Sequence, residues 1–214
     1  VMPRLTKEAV SWIAAQKDSG KPFFLYFPWT SPHAPIVPAA EFKGKSGAGP
    51  YGDYVHQSDW SLGQVLNALE ENGFRDNTLV IFSADNGPET YAYPRIQKYG
   101  HRSMGPLRGL KRDIYEGGHR VPLLMEWPGK IPKGKTCDRL VCLSDLMATL
   151  ADLLEIKLLD NQGEDSVSIL PLMKNPQADE VRKDIVHQSI DGSLSIRRGC
   201  YKLALCPGSG GWSS

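Results

Sequence analysis

The stretch Leu79-Val80-Ile81-Phe82-Ser83-Ala84-Asp85-Asn86-Gly87 decides the fold class. An unbroken apolar run followed at once by polar turn residues reads as a strand buried on both faces, with its carboxyl end opening into a loop. Upstream, Trp60, Val65, Leu66 and Leu69 recur at helical spacing, and Gly73 is placed to end that helix. Further upstream, Thr6 can cap a helix with the apolar face Ala9, Val10, Ile13 and Ala14, and the break at Asp18-Ser19-Gly20 leads into a second apolar run, Phe23 to Phe27. Downstream, Val121 to Trp127 is a third strand. It precedes a helix whose stripe is Leu143, Leu146, Met147, Leu150, Leu153 and Leu154, with Asp145 in the first turn. Helices alternating with both-face-buried strands predict an α/β fold on a parallel sheet.

After about Leu159 the character changes. Asp, Asn and Gly cluster, and short strands are expected at Ile185 to Gln188, Leu194 to Arg197 and Tyr201 to Leu205. The last two, joined around Gly199, predict an antiparallel hairpin in a small C-terminal subdomain. The expected division is residues 1–160 as part of an α/β domain and 161–214 as the subdomain.

Composition bounds the partners. The 214 residues are 41% hydrophobic, enough for a sizeable core, and 25 Lys and Arg against 24 acidic residues leave a net charge of +1. That balance argues against a nucleic-acid or membrane-surface partner, so any anion must be bound locally. No apolar run approaches the roughly 20 residues that span a bilayer, and Val1 to Arg4 lack a signal-peptide pattern. The four cysteines, Cys137, Cys142, Cys200 and Cys206, show no CxxC spacing and are read as thiols without a chemical role.

Two long stretches rich in Pro, Gly, His and charge follow predicted strands: Pro28 to Gly52 and Gly87 to Arg120. In open sheets ligands bind beyond the carboxyl ends of strands, so both loops are expected at one site. Asp85 and Asn86 offer two oxygen ligands to a hard cation while Gly87 lets the backbone turn away; Asn86-Gly87 reads equally as a plain turn. His33, fixed among prolines in Ser31-Pro32-His33-Ala34-Pro35, can protonate a leaving oxygen or bind an anion, or be a loop histidine satisfied by a carbonyl. Lys111 suits the oxygens of a sulfuryl or phosphoryl group, with a solvated basic loop as the plain alternative. His101 is a further substrate-pocket candidate.

Taken in order, these segments resemble the sulfatase family, in particular its arylsulfatase A-like branch. The resemblance runs through Ser31-Pro32-His33-Ala34-Pro35, Tyr54 to Leu69, Ser83 to Gly87, Pro106 to Lys111, Glu116 to Pro122 and Trp127 to Pro132, and then through Asp145 to Leu150 and Cys206 to Ser213. It implies an alkaline-phosphatase-like α/β fold, a parallel or mixed sheet flanked by helices. It also implies hydrolysis of sulfate esters by a formylglycine made from a cysteine, acting on a sulfated small molecule or glycan in a periplasmic, secreted or lysosomal setting. Asp85 and Asn86 would ligate Ca²⁺, with Mg²⁺ as the variant, Lys111 would contact the sulfate, His33 would assist the leaving oxygen, and His101 would face the substrate.

The sequence departs from the family at two points that matter. No cysteine stands in Cys-x-Pro-x-Arg or Cys-x-Ala-x-Arg, and the family's N-terminal Asp pair is missing. Both are expected upstream of Val1, so the chain is read as a C-terminal portion, incapable of turnover by itself. A phosphodiesterase or phosphonate hydrolase of the same superfamily and a non-catalytic sulfatase-like binding module are the competing readings.

Overall fold

The helix α1 (Met2–Ala15) begins one residue after the first, with a proline near its N-terminus where a missing N–H costs nothing. The computed structural model describes residues 1–213 and divides into two units, the first comprising residues 1–78 and 93–102, the second residues 79–92 and everything described from Ser103 onward. In the first unit α1 packs on α2 (Gly49–Glu71), and the short α3 (Ala92–Tyr99) follows. Met2, Thr6, Ala9 and Ile13 are the buried stripe of α1, three to four residues apart. Thr6 is therefore inside the helix and not its cap. Its hydroxyl donates to the Met2 carbonyl at 2.9 Å and lies 2.6 Å from the Ser61 hydroxyl of α2. As expected, α2 ends at Asn72 with Gly73 in a left-handed conformation, φ +76°.

The run Phe23 to Phe27 joins neither a helix nor a ladder among the described residues. Phe23, Leu25 and Phe27 are half-buried, while Phe24 and Tyr26 are 74% and 77% exposed. Only one side of the segment is covered within this unit. There Phe23 meets Trp12 and Phe74 edge-on, with centroids 5.5 and 5.2 Å apart.

The second unit contains two sheets. β1 (Val80–Ser83) pairs with β2 (Leu123–Glu126), and this ladder is antiparallel, Val80 facing Glu126 and Ser83 facing Leu123. Helix–strand alternation suggested a parallel pair. The 84–122 connection holds only short helices, α3 and α4 (Glu116–His119), so it makes no long crossover helix that would return the chain in the same direction. Helices α5 (Asp145–Leu153) and α6 (Leu170–Lys174) follow, and Ile169, Leu172 and Met173 form a core with Leu79, Met125, Ile131 and Val141 packed against it.

The C-terminal sheet matches its sequence expectation closely: β3 (Asp184–Gln188), β4 (Leu194–Arg198) and β5 (Tyr201–Ala204) pair antiparallel in the order β3-β4-β5, with Gly199 at φ +55° in the turn. This subdomain lies inside the second unit. One face carries Ile185, His187, Ser195, Arg197 and Lys202; the other presents the exposed row Val186, Ile196 and Leu203.

Candidate active site

Asp85 and Asn86 follow β1 directly, the carboxylate exposed and the amide half-buried. One Asp85 oxygen accepts the Asn86 N–H at 2.9 Å, and Asn86 Nδ2 donates to the Gly87 carbonyl at 2.9 Å, which leaves the amide oxygen as the atom for a cation. The donor set, a carboxylate beside an amide oxygen, fits a hard cation in kind. Among the described residues no group of three or more His, Cys, Asp or Glu side chains gathers as a complete metal shell.

This turn is welded to the loop bearing Lys111 by backbone alone. Gly87 N–H donates to Gly118 O at 2.9 Å, Lys111 N–H to Pro88 O at 2.8 Å, and Gly117 N–H to Arg108 O at 2.7 Å. The peptide planes approach so closely that a Cβ on Gly87 would be built into the Gly117 carbonyl, one on Gly117 into the Gly109 carbonyl, and one on Gly118 into the Leu110 carbonyl. Gly87 is not at positive φ, so its role is close approach rather than the free turning expected from sequence. Glycines at all three places bring the metal-type turn and the lysine loop together with no side chain between them.

One buried acid braces the Lys111 loop, and a second anchors the segment around α5. Asp113, fully buried, accepts Leu110 N–H at 2.7 Å and the Trp212 and Ser213 N–H groups at 2.9 and 3.0 Å. Burial raises its pKa, but the hydrogen bonds from Ser213, Leu110 and Trp212 prevail and hold the carboxyl below its usual range. Asp145, also fully buried, pairs with Arg182 and accepts Cys142 N–H at 2.7 Å and Val167 N–H at 3.0 Å. Sequence alone gave Asp145 only a place in a first helical turn.

At the start of α4, Glu116 pairs with Arg197 and, at 2.9 Å, with Lys202. Beside them the rings of His119 and His187 lie 4.5 Å apart, and His119 Nε2, His187 Nδ1 and the Ser195 hydroxyl are buried without a hydrogen-bond partner among the described residues. Burial, Lys202 and the neighbouring imidazole of His119 push the His187 pKa down to about 4, and burial and Lys202 lower that of His119. A depressed histidine pKa means that below its ordinary value of 6.5 the unfolded chain takes up a proton that the folded chain refuses. Stability is therefore unaffected by this group above that pH and falls as pH drops toward about 4, by about 2 to 3 kcal/mol. Urea unfolding between pH 7 and pH 4.5 should show a shallower loss for His187→Gln than for the unaltered chain; equal slopes would refute the assignment.

In the first unit, His33 is exposed, its N–H bonded to Thr30 O at 3.1 Å and its Nδ1 2.7 Å from Ala34 O. A ring held at Nδ1 by a carbonyl keeps Nε2 as the nitrogen that exchanges a proton. His101 is half-buried, its ring 6.0 Å from that of Tyr51, over which the Arg95 guanidinium stacks at 3.7 Å. The structure thus gathers Asp85, Asn86 and Lys111 in the second unit, while His33 and His101 belong to the first.

Known proteins resemble this chain over most of its length. The N-acetylgalactosamine-6-O-sulfatase of Bacteroides thetaiotaomicron is 36% identical over 204 residues, covering 92% of this chain and 39% of that protein. Bovine arylsulfatase A is 37% identical over 190 residues, covering 87% and 36% respectively. A solved B. thetaiotaomicron structure, described in connection with the metabolism of multiple glycosaminoglycans, superposes with a TM-score of 0.85 at 35% identity over 95% of this chain and 42% of its own. The chain spans about two fifths of the length of these relatives. Its fold is accordingly the alkaline-phosphatase-like α/β fold that they share. A family model described as Sulfatase matches residues 2–156, and the chain belongs to the sulfatase family.

Proposed function

We propose that the protein carrying this chain is a sulfuric ester hydrolase, in which Lys111 neutralises the sulfate oxygens, His33 delivers a proton to the leaving oxygen, and His101 faces the rest of the substrate. The observation that supports this best is the glycine interlock, which fixes the Lys111 backbone against the Asp85-Asn86 turn. A lysine and two oxygen donors on loops joined by backbone suit a monoanionic sulfate ester whose leaving oxygen gains charge as the S–O bond breaks. Ca²⁺, or Mg²⁺, held in part by Asp85 and Asn86, would polarise that group as a Lewis acid. The formylglycine would come from outside these 214 residues, since Cys137, Cys142, Cys200 and Cys206 all lack the required neighbours.

Relatives at 36% and 32% identity are named for N-acetylgalactosamine-6-sulfate, which makes a sulfated glycan the first substrate to try. A periplasmic, secreted or lysosomal setting accords with such a substrate, and no helix among the described residues is long and apolar enough to cross a membrane. In the natural protein, Lys111→Ala should lower kcat about 10²- to 10³-fold and His33→Ala about 10²-fold. Sulfate release is the readout, with the matching phosphate ester assayed beside it. Wild-type turnover in both variants, or preference for the phosphate ester, would overturn the reading.

A further inference from the structure

Arg112 adopts φ +78°, a left-handed backbone in which a Cβ is strained and glycine is at ease. An arginine kept at such a position indicates that its side chain is needed there. Its guanidinium pairs with Glu89, four residues past Asp85, and lies 3.8 Å from the centre of the Trp212 ring. Its carbonyl accepts the Ile190 N–H at 3.0 Å. Lys111, immediately before it, is thus followed by a residue gripped from three segments and preceded by Leu110, whose N–H is held by Asp113.

Glu89 explains why the grip matters. Burial raises the pKa of its carboxyl, but the hydrogen bonds from Arg112 and the Thr90 N–H and the charges of Arg112 and Lys111 hold it below its usual range. A Glu89 carboxylate without Arg112 would be left as an unpaired negative charge near the Lys111 turn. The planar fork of Arg112 is the better partner for that carboxylate and occupies it.

We propose that Arg112 is a positioning residue for Lys111: by occupying Glu89 and stacking on Trp212 it keeps the turn fixed and leaves the Lys111 ammonium free for the anionic group of the substrate. This rests on the sulfatase reading. Arg112→Gly relieves the backbone and removes the clamp, so in the natural protein it should still fold, unfolding within a few degrees of wild type. Its kcat for a sulfate ester should fall about 10²-fold, because misplacement of a group acting on developing charge is felt in turnover. Adding Glu89→Gln removes the competing carboxylate and should restore about tenfold of the loss, which a merely structural role for Arg112 would not produce. Arg112→Lys, which keeps the charge but loses the fork, should fall between wild type and Arg112→Gly. Wild-type kcat in Arg112→Gly, or a double variant no faster than the single, overturns the proposal. Amide hydrogen exchange at Lys111, whose N–H is bonded to Pro88 O, should quicken in Arg112→Gly whatever the substrate; unchanged exchange also overturns it. A wild-type protein that releases no sulfate, yet shows the quickened exchange in the variant, refutes the sulfatase reading and leaves the clamp standing.

Discussion

Gly117→Ala is expected to lower stability by about 3 kcal/mol, among the largest effects of any single methyl group in this chain. The added Cβ has no flexible side chain to push aside; it meets the carbonyls of Gly109 and Arg108, both fixed in the Lys111 loop. Relief requires separating the two loops, which breaks the Gly117 to Arg108 and Gly87 to Gly118 hydrogen bonds. Gly63→Ala provides the contrast. Gly63 lies within α2 with nothing within 4 Å of an added Cβ, so alanine there should raise stability by about 0.5 to 1 kcal/mol through helix propensity. Urea unfolding of the two variants measures both. A Gly117→Ala midpoint equal to wild type would mean that the loops part more easily than the backbone bonds imply.

The second large effect is expected at Arg182. Its side chain is 11% exposed, and it is the cation for the fully buried Asp145 while also donating to the Asp165 carbonyl at 2.8 Å. Arg182→Ala leaves a buried carboxylate with the Cys142 and Val167 N–H groups but no counter-charge, at a cost of about 3 to 5 kcal/mol. Arg182→Lys restores the charge without the two-pronged geometry and should recover part of the loss. The check is chemical denaturation at constant m-value, and Asp145→Asn in the Arg182→Ala background should be less harmful than Arg182→Ala alone. If Arg182→Ala costs under about 1 kcal/mol, the pair behaves as an exposed one and the buried-anchor account fails.

How much of this was legible in the sequence depended on separation along the chain. The hairpin of β4 and β5 was readable because alternation and Gly199 are local signals. So was α2, whose apolar stripe and following Gly73 lie in one short stretch of chain. Thr6 misled because a hydroxyl near a helix start looks like a cap whether it accepts an N–H at the helix start or, as here, donates back to the Met2 carbonyl and meets Ser61 on another helix. The direction of the β1–β2 pair depends on how residues 84–122 travel, which periodicity does not encode. The site divides in the same way. Asp85, Asn86, Lys111, His33 and His101 could be singled out from their own neighbours. Arg112, Asp113 and the pair His119 and His187 could not, because their partners lie far away: Asp113 meets Trp212 at a separation of 99 residues. Sequence identified side chains suited to chemistry, and the groups that hold them in place emerged only from the fold.

That separation also sets the order in which the protein can be completed as it is made. The Lys111 turn is fastened by Trp212 and Ser213 through Asp113, by the Ser209 carbonyl through Ile114 N–H at 2.7 Å, and by the Gly208 carbonyl through the Tyr115 hydroxyl at 2.7 Å. During synthesis the lysine leaves the ribosome about a hundred residues before these fasteners, an interval of roughly 5 to 20 s at typical elongation rates. For nearly all of that interval α1, α2 and the β1–β2 ladder have all their residues available, whereas the Lys111 turn does not. The Lys111 turn therefore takes its final shape later than the helices and strands around it.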